Sequence, residues 1–161
     1  MKFTFTLFLI GFMNMMLAQD CEFKSDTIFV PKEKKTLQSE VLEATLRNGS
    51  VVQLIKAPNG KLYMKLIVTE NLYFDKIDQL EVKSGSKSFY VKDAKHYQYT
   101  KHKGYYFFEI YKNYVVTLKD NGLTGILFGK AETEFTRSDS NLIKKTAACF
   151  YESLAEKNKI L

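Results

Sequence analysis

Three groups of side chains in this sequence have the types and spacing that chemistry could use: two cysteines, two histidines, and a dense run of tyrosines and lysines. Cys21 and Cys149 are the two cysteines. An even count in an oxidising compartment favours pairing. A Cys21–Cys149 bridge would close a loop spanning most of the chain and add about 4 to 5 kcal/mol in the chain-entropy picture. A disulfide is therefore the expectation. A catalytic cysteine is disfavoured, because no histidine neighbours either thiol to activate it.

The histidines, His96 and His102, lie six residues apart among lysines. No cysteine or acidic pair flanks them at a zinc-ligand spacing, so no metal is expected. A hydrolase reading would join one of them to a carboxylate such as Asp75. The acidic group Glu70, Asp75, Asp78 and Glu81 lacks the spaced Asp/Asn/Gly pattern of a calcium loop and reads as solvated carboxylates. No G-x-S-x-G, H-E-x-x-H, phosphate-binding loop or dinucleotide fingerprint occurs. The sequence points away from an enzyme and calls for no cofactor.

The tyrosine run is the sharpest local feature. Between Phe89 and Tyr114 stand ten aromatic residues interleaved with Lys92, Lys95, Lys101, Lys103 and Lys112. Tyrosine supplies rigid contact area with a polar tip, and lysine supplies charge, which is the make-up of a binding face. The candidate binding residues are Tyr97, Tyr99, Lys101, His102, Lys103, Tyr105 and Tyr106. Ordinary strand propensity produces such runs as well. One strand face cannot bury both Tyr105 and Tyr106, so a tyrosine of this hairpin is expected at the surface.

Turn signals at Asn48-Gly49, Pro58-Asn59-Gly60, Ser84-Gly85-Ser86, Lys103-Gly104 and Asp120-Asn121-Gly122 divide the chain into strand-length pieces. The pieces are 51–56, 62–69, 80–82, 88–91, 105–110, 114–118 and 123–128. In 62–69, Leu62, Met64, Leu66 and Val68 alternate with Tyr63, Lys65, Ile67 and Thr69, a period of two that sends the first set to a core. The gaps are too short for parallel crossovers, so successive antiparallel hairpins are expected. Residues 31–43 read equally as a strand or a short helix. From Ser140 the period changes: Leu142, Ile143, Thr146, Ala147, Phe150 and Leu154 mark one face of a helix over about 141–157, capped by Ser138, Asp139 or Ser140. The expected fold is mainly β, an antiparallel sandwich or open barrel built of hairpins, with one C-terminal amphipathic helix packed on it.

Residues 1–18 have another character: Lys2, then an apolar stretch rich in phenylalanine and methionine, then a small residue at Ala18. This is the layout of a cleaved signal peptide. The stretch falls short of the roughly 20 apolar residues that span a bilayer, and Gln19 and Asp20 stand where a lipobox needs small residues before Cys21. Cleavage after Ala18 or Gln19 would leave a single domain over 19–161, exported to the periplasm or the outside of a bacterium.

The formal net charge is +6. It rests on scattered lysines and two arginines, Arg47 and Arg137, and phosphate recognition favours arginine. With export, this points away from nucleic acid and towards a protein partner or an anionic cell-surface glycan. The leading functional expectation is an exported, non-enzymatic binding protein of the envelope-inhibitor or immunity kind. The alternatives are a carbohydrate or cell-wall binding module and, third, a small hydrolase using the histidines. Two triplets resemble modification acceptors. Asn48-Gly49-Ser50 fits N-glycosylation but reads first as a turn. Asp26-Thr27-Ile28 resembles the short O-glycosylation acceptor of exported proteins in some Gram-negative bacteria.

Overall fold

The computed structural model describes residues 21–30, 33–69, 80–91, 95–100, 103–128 and 131–156. Residues 1–20, which hold the expected leader, lie outside them. The elements run β1 (Lys24–Val30), β2 (Lys35–Thr45), β3 (Val51–Lys56), β4 (Leu62–Thr69), β5 (Leu80–Ser84), β6 (Lys87–Val91), β7 (Lys95–Thr100), β8 (Lys103–Ile110), α1 (Lys112–Asn121), β9 (Gly125–Phe128), β10 (Ala131–Glu134) and α2 (Arg137–Glu156). One sheet has the order β1-β2-β3-β4-β8-β7 and the other β10-β9-β5-β6. The strand pairings are antiparallel, and neither sheet closes into a barrel.

Register explains the core. Leu42, Leu54, Met64 and Phe108 stand opposite one another across β2, β3, β4 and β8, and so do Ala44, Val52, Leu66 and Tyr106. Cross-strand partners share a face, and all eight are buried. Val82, Phe89, Ile126 and Phe128 of the second sheet and Val115, Leu118, Ile143, Ala147 and Phe150 of the helices complete this main core. The other face of the six-stranded sheet carries a smaller cluster, in which Ile28 and Val30 of β1 join Val41, Ile55, Tyr63 and Phe107. Both faces of β3 and β4 are therefore apolar. That is why 51–55 reads as a nearly continuous apolar run and only 62–69 alternates visibly.

Four local expectations change. Of residues 31–43, the stretch 35–43 is strand, with β2 starting at Lys35 after a turn at 33–34 and pairing along its length with β1 and then β3, while 31–32 lie outside the described residues. Residues 114–118 were expected as a strand and form α1 instead. Val115 and Leu118 lie on one helical face and are fully buried, so burial of that face outweighs the strand preference of a Tyr-Val-Val-Thr run. Gly122 accordingly caps a helix rather than turning a hairpin: its φ is +73°, and its N–H donates to Leu118 O at 2.7 Å. Lys103 and Gly104 lie within β8, paired to β4 and β7, rather than in a turn.

Helix α2 starts earlier than its apolar period suggests. Thr136 is its cap: Asp139 N–H donates to Thr136 Oγ1 at 3.1 Å, while the Thr136 hydroxyl donates to Asp139 Oδ2 at 2.6 Å. Asp139 thus reciprocates the cap rather than providing it, and its Oδ1 also accepts the Arg47 N–H of the β2–β3 turn at 3.0 Å. Near the other end, Lys56 Nζ donates to Ser153 O at 3.1 Å. Cys149 lies on α2 and is bonded to Cys21, with Cα atoms 5.7 Å apart, so the expected disulfide is present.

Candidate functional site

The candidate tyrosine hairpin divides between what the structure describes and what it does not. Lys101 and His102 lie outside the described residues, and so does Asp75. Tyr97, Tyr99 and His96 have described backbone in β7, and Lys103 opens β8; their side chains lie outside the description. Tyr97 pairs with Tyr105 and His96 with Tyr106, and Tyr99 falls at an irregularity in the ladder between Gln98 and Thr100.

Tyr105 and Tyr106 separate as strand alternation requires. Tyr106 is fully buried in the main core, its ring 5.1 Å from that of Phe128. It is a core residue, not the partner contact expected of it, and presents no surface. Tyr105 is half-buried at the rim of the smaller cluster, with the Lys65 ammonium 4.9 Å from its ring centroid. Beside it Tyr63 stacks on Phe107 at 5.0 Å, and burial pushes the Tyr63 phenol above its ordinary value. This region is packing first and surface second.

A second aromatic and basic group forms where β8 passes into α1 and α1 lies against α2. Tyr111, the residue before α1, has extended backbone and is 61% exposed. Its ring meets Tyr114 edge-on at 5.7 Å, and Tyr114 stacks on the buried Phe89 at 4.3 Å with the planes 10° apart. The stack runs from core to surface, and it holds Tyr111 against a rigid base. Where α1 meets α2, Tyr151 of α2 lies between two ammonium groups of α1, with Lys112 Nζ at 5.3 Å and Lys119 Nζ at 5.5 Å from its centroid. Lys119 also pairs with Asp120 at 3.0 Å.

Tyr111, Tyr114 and Lys112 belong to the aromatic-basic run legible in the sequence. Tyr151 and Lys119 do not, because they join it only through the packing of α2 on α1. The available signal was the seven-residue spacing of Lys112 and Lys119, which puts both on one side of a helix once 112–121 is read as helical.

The chemistry of this group is that of contact. Among the described residues no three His, Cys, Asp or Glu side chains converge as metal ligands would. A cleft of about 410 Å³ between the β1–β2 hairpin and the turn at 57–60 is lined by Ser25, Gln38, Ser39, Glu40, Lys56 and Pro58 among others, and its lining includes no histidine, cysteine or carboxylate pair. Among the described residues no helix is long and apolar enough to cross a membrane.

Comparison with family models, with curated proteins and with solved structures finds no match for this chain. Its class is defined by its own architecture: among the described residues, a two-sheet antiparallel β protein flanked by two helices, with aromatic and lysine side chains at the helical surface.

Proposed function

We propose that this chain is an exported, non-enzymatic binding protein that holds or blocks a protein partner in the cell envelope, and that Tyr111, Tyr114, Tyr151, Lys112 and Lys119 form its contact face. The observation carrying the reading is the position of Tyr111: a large side chain 61% exposed on an ordered aromatic stack. A tyrosine already held in place loses little entropy on contact, which is how interface anchors gain affinity. The two lysines over Tyr151 and the net charge of +6 favour an acidic partner. The Cys21–Cys149 bridge agrees with life in an oxidising compartment.

The test is capture of partners from envelope extract by the oxidised protein, compared with the Tyr111→Ala/Lys112→Ala variant. Loss of a partner at unchanged thermal stability supports the face; retention of every partner removes it. The alternative, a carbohydrate-binding module, draws on Tyr90. This residue is 52% exposed on the second sheet and cross-strand from Glu81, an arrangement suited to a sugar ring. A glycan array on which the wild type binds and Tyr90→Ala does not would favour that reading.

A further inference from the structure

We propose that Thr27 is an O-glycosylation acceptor. The proposal presupposes export and is independent of the binding face. Of the two acceptor-like triplets, the fold presents the hydroxyl of only one. In Asn48-Gly49-Ser50 the acceptor would be the exposed Asn48 amide, but that side chain is tied into the turn by accepting the Ser50 N–H on Oδ1 at 2.9 Å, and Ser50, the triplet's hydroxyl residue, is 3% exposed. In Asp26-Thr27-Ile28 the arrangement is reversed. Ile28 is buried and anchors the strand, while Asp26 and Thr27 are exposed.

The setting fits an acceptor in three further ways. β1 lies at the margin of the six-stranded sheet with β2 as its neighbour, so the triplet is already extended and open along one edge. The Thr27 hydroxyl donates to Gln38 Oε1 at 2.9 Å, and Gln38 Nε2 donates to Ser25 Oγ at 2.7 Å, which orients the hydroxyl at the surface without burying its oxygen. Asp26 Oδ1 accepts the Thr27 N–H at 2.7 Å, setting a carboxylate beside the acceptor.

Phe29 supplies an independent reason for a covering group. It stands two residues along the same strand, on the same face as Thr27, and is 53% exposed. An unpaired strand edge is a pairing hazard that proteins blunt with charge or cover, and an exposed aromatic on it adds apolar surface there. A sugar on Thr27 would lie over that ring.

The transfer balances as follows. Thr27 Oγ1 attacks the anomeric carbon of a lipid-linked glycosyl pyrophosphate, supplied with a transferase by the export compartment. A carbon–oxygen bond forms, the bond from the anomeric carbon to the phosphate oxygen breaks with its electron pair going to the phosphate, and the hydroxyl proton passes to a base of the transferase. Nothing is oxidised or reduced.

The test uses the full chain, leader included, made in the cells that naturally produce it and purified from their envelope or medium. Intact mass should exceed that of the processed polypeptide by whole sugar residues, and peptide mapping should place them on Thr27. The increment should vanish in Thr27→Ala and in the shape-conserving Thr27→Val, and persist in Thr27→Ser and in Tyr111→Ala/Lys112→Ala. A polypeptide-only mass overturns the proposal, and so does an increment that survives Thr27→Ala.

Discussion

Asp139 and Glu33 place carboxylates where ionisation and structure are coupled, and Gly122 places a hydrogen where no carbon fits. Burial of Asp139 opposes its charge. Hydrogen bonds from the Thr136 hydroxyl and the Arg47 N–H outweigh that and hold the carboxyl below its ordinary value. A carboxyl depressed in the folded state contributes stability that is present above its unfolded pKa and is lost as pH falls through the folded one. Asp139→Ala removes the N-terminal box of α2 together with its tie to the β2–β3 turn. It should cost about 1 to 2 kcal/mol in urea unfolding at neutral pH. Glu33 is held down to about 2 by hydrogen bonds from the Lys35 and Lys61 ammonium groups, whose nitrogens lie 2.7 and 2.9 Å from it. The same sign applies: this clamp between the β1–β2 and β3–β4 turns holds above about pH 4.5 and weakens towards pH 2. Glu33→Gln should flatten the acid limb of the stability curve there. At Gly122 an added Cβ would meet Ser140 O at 2.3 Å, in a backbone conformation with φ +73°. Gly122→Ala should therefore lose well over 1 kcal/mol, read as a lowered melting temperature.

At the scale of elements, the informative pair is Tyr106 in β8 and Tyr111 ahead of α1. Tyr106→Ala opens a void in the main core and should cost about 3 to 5 kcal/mol. Tyr111→Ala should leave the melting temperature within a degree or two, because the side chain is mostly in solvent. If Tyr111 anchors the partner, the same change lowers affinity about thirtyfold, a loss of about 2 kcal/mol. A variant series in which Tyr111→Ala unfolds the protein, or binds as well as the wild type, counts against the contact face. Element by element, legibility followed the strength of the local pattern. β3 and β4 match their expected spans, since hairpin glycines bracket them and the alternation in 62–69 is clean. The apolar stripe of α2 was equally plain. Its start was not, since Thr136 acts through a hydrogen bond that periodicity does not register. The local pattern of 114–118 favours a strand, because β-branched and aromatic residues carry strand propensity and only packing on α2 and β5 selects the helix.

For the whole molecule, the disulfide is the long-range tie. It joins the segment before β1 to the fourth turn of α2 across 128 positions. Reduction, or Cys21→Ser with Cys149→Ser, should lower stability by about 2 to 5 kcal/mol, while thiol titration of the denatured, unreduced chain finds none to react. The charge of +6 acts at this scale as well. Capture of an acidic partner should weaken as salt is raised from about 50 to 500 mM, because exposed lysines are screened within a Debye length. Composition, turn residues and period were enough to set the mainly β class, the hairpin succession and the C-terminal helix, and to make a cysteine bridge the expectation, since each is written in neighbouring residues or in counts. Packing alone settled the rest. It sent Tyr106 inward and left Tyr111 outside, turned 112–121 into a helix, and brought Tyr151 and Lys119 beside Lys112. These outcomes depend on which faces of distant segments meet, and a local pattern carries no record of its partner.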